Sequence, residues 1–197
     1  MEKDNKKKKR FRNRLIFLVF FLSCIYLFFT WSTPVTGNID EYVYDLPFES
    51  GQSFRVVQGY GGLFSHKNTA AIDFAMPVGT PVLAARGGTI YAYKDEFEEG
   101  GPLPGYRNKA NFIMIRHDDG SYGCYWHLKK NGVLVKSGRV EKGQLIGLSG
   151  ATGFVLRPHL HFSVKRKLDY EMNSFVQTKF NTSEGITILK VTRFYRK

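Results

Sequence analysis

The sequence predicts an all-β body, an antiparallel sheet, behind one N-terminal transmembrane helix. Three observations carry that reading. Leu15–Trp31 is an apolar run with no charged residue. Past it, short apolar segments alternate with Gly, Pro and Asp turns. No window of ten or more residues beyond the run shows a clean 3.6-residue apolar period, so helix content there should be low. At 197 residues the chain has room for one core of ordinary size.

The charge pattern sets the first two segments. The chain carries +12, and residues 1–14 hold eight basic and two acidic side chains, half of that excess. Seventeen uncharged, mostly apolar residues, 15–31, follow at once. At ~1.5 Å per residue they span ~25 Å, the short end for a bilayer core. Basic residues before the run would hold that end in the cytoplasm and place everything after Trp31 on the far side. Expected, then, is a single-pass protein of the inner (cytoplasmic) membrane facing the periplasm or exterior. A removed signal peptide has the same layout, and would make the protein secreted. Phe28-Phe29-Thr30-Trp31 offers bulky residues where a small-x-small cleavage site is wanted, which favours the uncleaved anchor. Cys24 lies in this run and Cys124 in the body, so no intrachain disulfide is expected. The remaining +6 is spread over the body and gives no reason to invoke nucleic acid.

The body follows in order. Residues 32–47, with Pro34, Gly37 and Pro47, read as a spacer. Strands are expected at Arg55–Gln58, Ala70–Ala75, Thr80–Ala84 and Gly88–Tyr93. Phe112–His117 and Tyr122–Leu128 form a hairpin about Asp118-Asp119-Gly120. Gly132–Val135, Leu145–Ser149 and His159–Lys165 complete residues 48–168. The tail, 169–197, adds strands at Phe175–Phe180 and Ile186–Val191. Lys94–Ala110 is long for a hairpin connection and is either a cleft wall or a tolerated surface insertion.

Chemistry concentrates in the five histidines. His159 and His161 alternate in Pro158-His159-Leu160-His161-Phe162. In a strand, residues i and i+2 share a face with Cα atoms ~6.5–7 Å apart, so both imidazoles look into one space. Asp73 interrupts the apolar Ala70-Ala71-Ile72 and Phe74-Ala75-Met76, where a carboxylate is costly unless it is paired or bound to a cation. His66 sits seven positions earlier in a polar loop. His127 ends a strand among aromatics, where a satisfied core histidine is the competing reading. His117, beside Asp118, reads as a surface residue.

Several motifs, in this order, carry a resemblance. They are Gly59-Tyr60-Gly61-Gly62, His66 with Asp73, Asp73 to Val82, Tyr125-Trp126-His127-Leu128, Gly143 to Gly147, Ser149 to Gly153, and Pro158 to Phe162. The stretch from about Phe48 to Lys165 resembles the zinc-dependent peptidoglycan endopeptidases of the M23 family, the LytM and lysostaphin type, whose fold is related to the biotinyl/lipoyl barrel-sandwich. The resemblance implies Zn2+ held by His66, Asp73 and His161, catalytic roles for His127 and His159, and peptidoglycan stem peptides as substrate. It implies attack by a zinc-activated water with histidine acid/base assistance. Two departures stand out. Six residues separate His66 from Asp73 where many members have three, so His66 should come from a loop; and Arg157 replaces a small residue before Pro158-His159. A catalytically inactive LytM-like regulator or wall-binding module is the alternative. A lipoyl-type carrier is disfavoured, because no modifiable lysine sits on a suitable hairpin tip.

Overall fold

The computed structural model describes residues 2–30, 39–67, 69–168 and 174–197. A helix, α1 (Glu2–Thr30), precedes fifteen strands among the described residues. They are β1 (Ile39–Asp45), β2 (Ser53–Gln58), β3 (Ala71–Phe74), β4 (Pro81–Leu83), β5 (Gly88–Lys94), β6 (Gly100–Gly101), β7 (Asn111–Arg116) and β8 (Tyr122–Val133). Then come β9 (Arg139–Val140), β10 (Leu145–Ser149), β11 (Gly153–Phe154), β12 (Leu160–Lys165), β13 (Phe175–Thr182), β14 (Gly185–Thr187) and β15 (Phe194–Arg196).

The main sheet runs β15-β2-β3-β12-β8-β7-β5-β9. Pairing is antiparallel except between β1 and β13 and in the small β6-β11 ladder. The predicted turn Asp118-Asp119-Gly120 joins β7 to β8. The Gly120 amide donates to the His117 carbonyl, Gly120 takes φ +81°, and the Asp119 carboxylate accepts from the Ser121 amide at 3.0 Å. Every residue of β3 is buried, because β2 and β12 flank it on both edges. The core beneath is aromatic: Tyr44, Phe48, Phe74, Tyr125, Phe162 and Phe180 are almost fully buried, with several of their rings meeting edge to face.

Four expectations need correction. Among the described residues, no helix is long and apolar enough to cross a membrane. The apolar run does lie in α1, whose side chains are described from Lys7 to Leu27. The single-pass anchor over 15–31, and a membrane partner through it, are therefore unsupported.

The spacer reading of 32–47 also changes, apart from residues 31–38, which lie outside the described set. Ile39–Asp45 is a strand that pairs with β13, and Tyr44 and Leu46 are fully buried. Alternation is weak there because only some of its side chains face the core.

His117 is buried rather than on the surface. Its Nδ1–H donates to the Gly87 carbonyl at 2.8 Å, and its ring packs against Tyr44.

In the tail, residues 169–173 lie outside the described set, and Ile186–Val191 is not one strand. Gly185–Thr187 and Phe194–Arg196 form separate strands, and the latter pairs with β2.

Candidate metal centre

β3 and β12 build the centre. Their register sets Asp73 directly opposite His161, and opposed residues of an antiparallel pair project to the same face. His159, two residues before His161, shares that face. The third group arrives from the loop between β2 and β3. That loop folds back on itself: the His66 amide donates to the Gly62 carbonyl, and the Thr69 amide donates to the His66 carbonyl, both at 2.9 Å. His66 is fully buried, and its Nδ1–H donates to the Gly59 carbonyl at 3.0 Å, which turns Nε2 toward Asp73. The Gly59-Tyr60-Gly61-Gly62 motif thus supplies the acceptor that orients an imidazole. The Cβ of a residue at position 62 would come within 2.7 Å of the Gln58 side chain.

Three donor atoms converge. His66 Nε2 lies 3.2 Å and His161 Nδ1 2.9 Å from Asp73 Oδ1, and the two nitrogens are 3.1 Å apart. A tetrahedral ion with bonds of ~2.0–2.1 Å holds its donors roughly 3.3–3.4 Å apart, so modest expansion of this triangle would seat one. Two imidazoles and a carboxylate also suit zinc by ligand type. The donor set fits such an ion and leaves a fourth position free of these three side chains.

The remaining two histidines stand beside the triangle. His159 donates from Nδ1 to the Arg157 carbonyl at 2.8 Å, and its Nε2 lies 3.7 Å from Asp73 Oδ1. His127 comes from β8 by a less regular route. Between β7 and β8, Asn111 opposes Leu128 and Phe112 opposes Trp126, so His127 is the extra residue of a β-bulge. It takes φ +67°, a left-handed conformation uncommon outside glycine. The bulge re-aims the side chain, as bulges beside active sites do. Its Nδ1–H donates to the Thr152 carbonyl at 2.7 Å, and its ring centroid lies 4.6 Å from that of His159.

The electrostatics separate the groups. Burial would raise the Asp73 pKa, but the charges of His66 and His159 and hydrogen bonds from His161 and His66 hold it well below the usual range. Burial would lower the His66 pKa, yet the Asp73 carboxylate outweighs it and the net shift is upward. For His127, burial and then repulsion from His159 and His161 push the pKa well down, so its imidazole is neutral at pH 7. Burial likewise lowers that of His161.

All five expected site residues therefore gather in one place. Asp73, His127 and His159 line a cleft of about 220 Å³, whose other walls include Phe64, Phe154 and Arg157. The loop over 94–110 does not itself line the cleft; it buttresses the wall from behind. β6 pairs with β11, Arg107 sits 4.9 Å over the Phe154 ring, and Phe154 stacks on Phe64. Asn111 pins the start of that loop, its side chain accepting from the Phe97 amide and donating to the Phe97 carbonyl.

Sequence reasoning missed Thr152. Its carbonyl orients His127, while its hydroxyl donates to Leu128 and accepts from the Asn111 amide. The signal available was the Ser149-Gly150-Ala151-Thr152-Gly153 motif, which says nothing of what its carbonyls touch. The tail contributes too: Val191 and Thr192 line the cleft, and the Thr192 amide donates to the Val56 carbonyl.

Several known proteins are similar to this chain. The family model described as "Peptidase family M23" matches residues 67–174. The peptidoglycan DD-endopeptidase ShyA of Vibrio cholerae is 41% identical over 93 residues, which is 47% of this chain and 19% of that protein. The glycyl-glycine endopeptidase ALE-1 of Staphylococcus capitis is 40% identical over 95 residues, 48% of this chain and 24% of that one. Among solved structures, a zinc-containing peptidase from Vibrio cholerae is 27% identical with a TM-score of 0.40, covering 68% of this chain and 37% of that chain. The matches thus span about a fifth to a quarter of these curated relatives' own length. With more than half of its length matched by the family model, the chain belongs to peptidase family M23.

Proposed function

We propose that this protein is a zinc-dependent endopeptidase that hydrolyses peptide cross-links of peptidoglycan outside the cytoplasm, during cell-wall remodelling. The observation that carries the reading is the convergence of His66 Nε2, Asp73 Oδ1 and His161 Nδ1 beside two further imidazoles in one cleft. His66, Asp73 and His161 would hold the ion. When bound, zinc would lower the pKa of a coordinated water and polarise the scissile carbonyl.

The chain's own groups supply the rest. Thr152 holds the Nδ1 proton of His127, which leaves Nε2 as the lone-pair nitrogen. A neutral imidazole in that state accepts a proton from a nucleophile and returns one to the leaving amine. His159, its Nδ1 proton held by the Arg157 carbonyl, presents the Nε2 lone pair on the same side as Asp73; once that nitrogen has taken up a proton, the ring can donate a hydrogen bond to a developing oxyanion. The names of relatives such as ShyA support a D,D bond. In a directly cross-linked wall that bond joins D-alanine to meso-diaminopimelate.

The test is digestion of purified cross-linked muropeptides by the full chain. With zinc, monomers should accumulate; after chelation, or with His161→Ala, they should not. Activity that survives both treatments would sink the proposal, and a folded, zinc-loaded protein that releases nothing would favour the regulator or wall-binding module.

A further inference from the structure

Two arginines of the cleft have no part in the chemistry above. Arg55, on β2, and Arg157, in the turn before β12, both line the cleft that holds Asp73, His127 and His159. Both are exposed, and neither makes an ion pair or side-chain hydrogen bond among the described residues. Three other arginines do have carboxylate partners: Arg86 pairs with Asp119, Arg139 with Asp118, and Arg166 with both Asp40 and Asp119. In the cleft no such partner is available. Asp73 is the sole carboxylate among its lining residues, and that carboxylate is already committed to three imidazoles.

We infer that Arg55 and Arg157 form a carboxylate-recognising subsite, and that the cleft takes a peptide bearing a free carboxylate near the bond to be cut. A guanidinium stays charged at any working pH and presents a planar fork that matches a carboxylate in bidentate fashion. Arg157 is well placed for this, because its own carbonyl holds the His159 ring and so ties its backbone to the catalytic edge of the cleft. A substrate group lying against His159 is within the span of a side chain rooted two residues away. With Asp73 neutralised by its neighbours, the two guanidiniums leave the cleft net positive, which draws an anionic peptide in at low ionic strength.

The inference deepens the endopeptidase reading by naming its substrate class, and its test separates the two. The probe is an uncross-linked stem tetrapeptide in two forms, with carboxylates free or as amides. It is titrated calorimetrically into the full-length, zinc-loaded protein in low salt. With no cross-link to cut, binding is read apart from turnover. The free-acid form should bind about tenfold or more tightly than the amide. That preference should shrink in Arg55→Gln and in Arg157→Gln, which leaves the carbonyl that orients His159 in place, and vanish in the double variant. Equal binding of the two forms by the wild-type protein, or a preference that survives in the double variant, overturns the subsite. Failure to cleave cross-linked muropeptides would overturn the endopeptidase reading and leave a measured carboxylate preference standing.

Discussion

His127 Nδ1 donates to the carbonyl oxygen of Thr152 at 2.7 Å, joining a bulged residue of β8 to the segment that leads into β11. The same threonine holds its hydroxyl between the Leu128 carbonyl and the Asn111 amide. One residue therefore fixes both the ring that faces the cleft and the backbone that carries it. A histidine in left-handed backbone conformation is held there by neighbours that over-determine it.

That strain can be measured. In His127→Gly the left-handed conformation becomes permissible, whereas His127→Ala keeps the steric penalty. Both lose the imidazole and should be inactive on muropeptides. The glycine variant should unfold at higher denaturant than the alanine variant by the equivalent of about 1–2 kcal/mol. Equal midpoints would mean that position 127 is relaxed.

Metal binding should depend on pH in a definite direction. Asp73 raises the His66 pKa above its ordinary value, so the metal-free centre holds an extra proton on the acid side of that pKa. A ligand imidazole must be neutral, so zinc affinity should fall as pH falls through this value and level off above it. Calorimetry in buffers of different ionisation enthalpy should show proton release on zinc uptake near neutral pH. Zinc at a hundredfold excess over its Kd should stabilise the wild type by ~2.7 kcal/mol and leave His161→Ala little changed.

The loop behind the cleft has one position with no room. A Cβ on Gly100 would lie 1.8 Å from the Ala151 carbonyl oxygen, whereas a Cβ on Gly105 would meet nothing within 4 Å. Gly100→Ala should therefore cost about 1–3 kcal/mol and lower kcat, because it pushes on the residue before Thr152. Gly105→Ala should leave both nearly unchanged. Thermal melts and muropeptide kinetics on the pair give the contrast.

The two cysteines should differ in reactivity. Burial pushes the Cys124 thiol up to about 12, while Cys24 is exposed. At pH 8, iodoacetamide should label Cys24 alone in the folded protein and reach Cys124 only after denaturation. Mass spectrometry of tryptic peptides reads the outcome directly.

Much of the sheet was legible because its signals are local. Leu145–Ser149 appears as expected, and Phe112–His117 and Tyr122–Leu128 are displaced by little, because Asp-Asp-Gly specifies the turn and alternation specifies the strands. β8 nevertheless runs on to Val133, absorbing part of what reads as a separate strand. β1 escaped because its pairing with β13 links residues more than 130 positions apart, and nothing in a local window records such a partner. His117 looked like a surface residue beside two aspartates, but Tyr44 and Gly87 close over it from distant segments.

The sequence by itself determined the chemical cast: five site side chains, two of them at strand spacing, and a carboxylate in an apolar strand that demanded a partner. Only the tertiary structure decided how they meet. Register placed Asp73 opposite His161, a loop hydrogen bond to Gly59 turned His66 inward, and a bulge aimed His127 at the cleft. Each of these rests on backbone partners remote in the chain or on a single extra residue in a ladder. Pairing energies of that kind depend on the folded neighbour, and side-chain identity alone does not carry them.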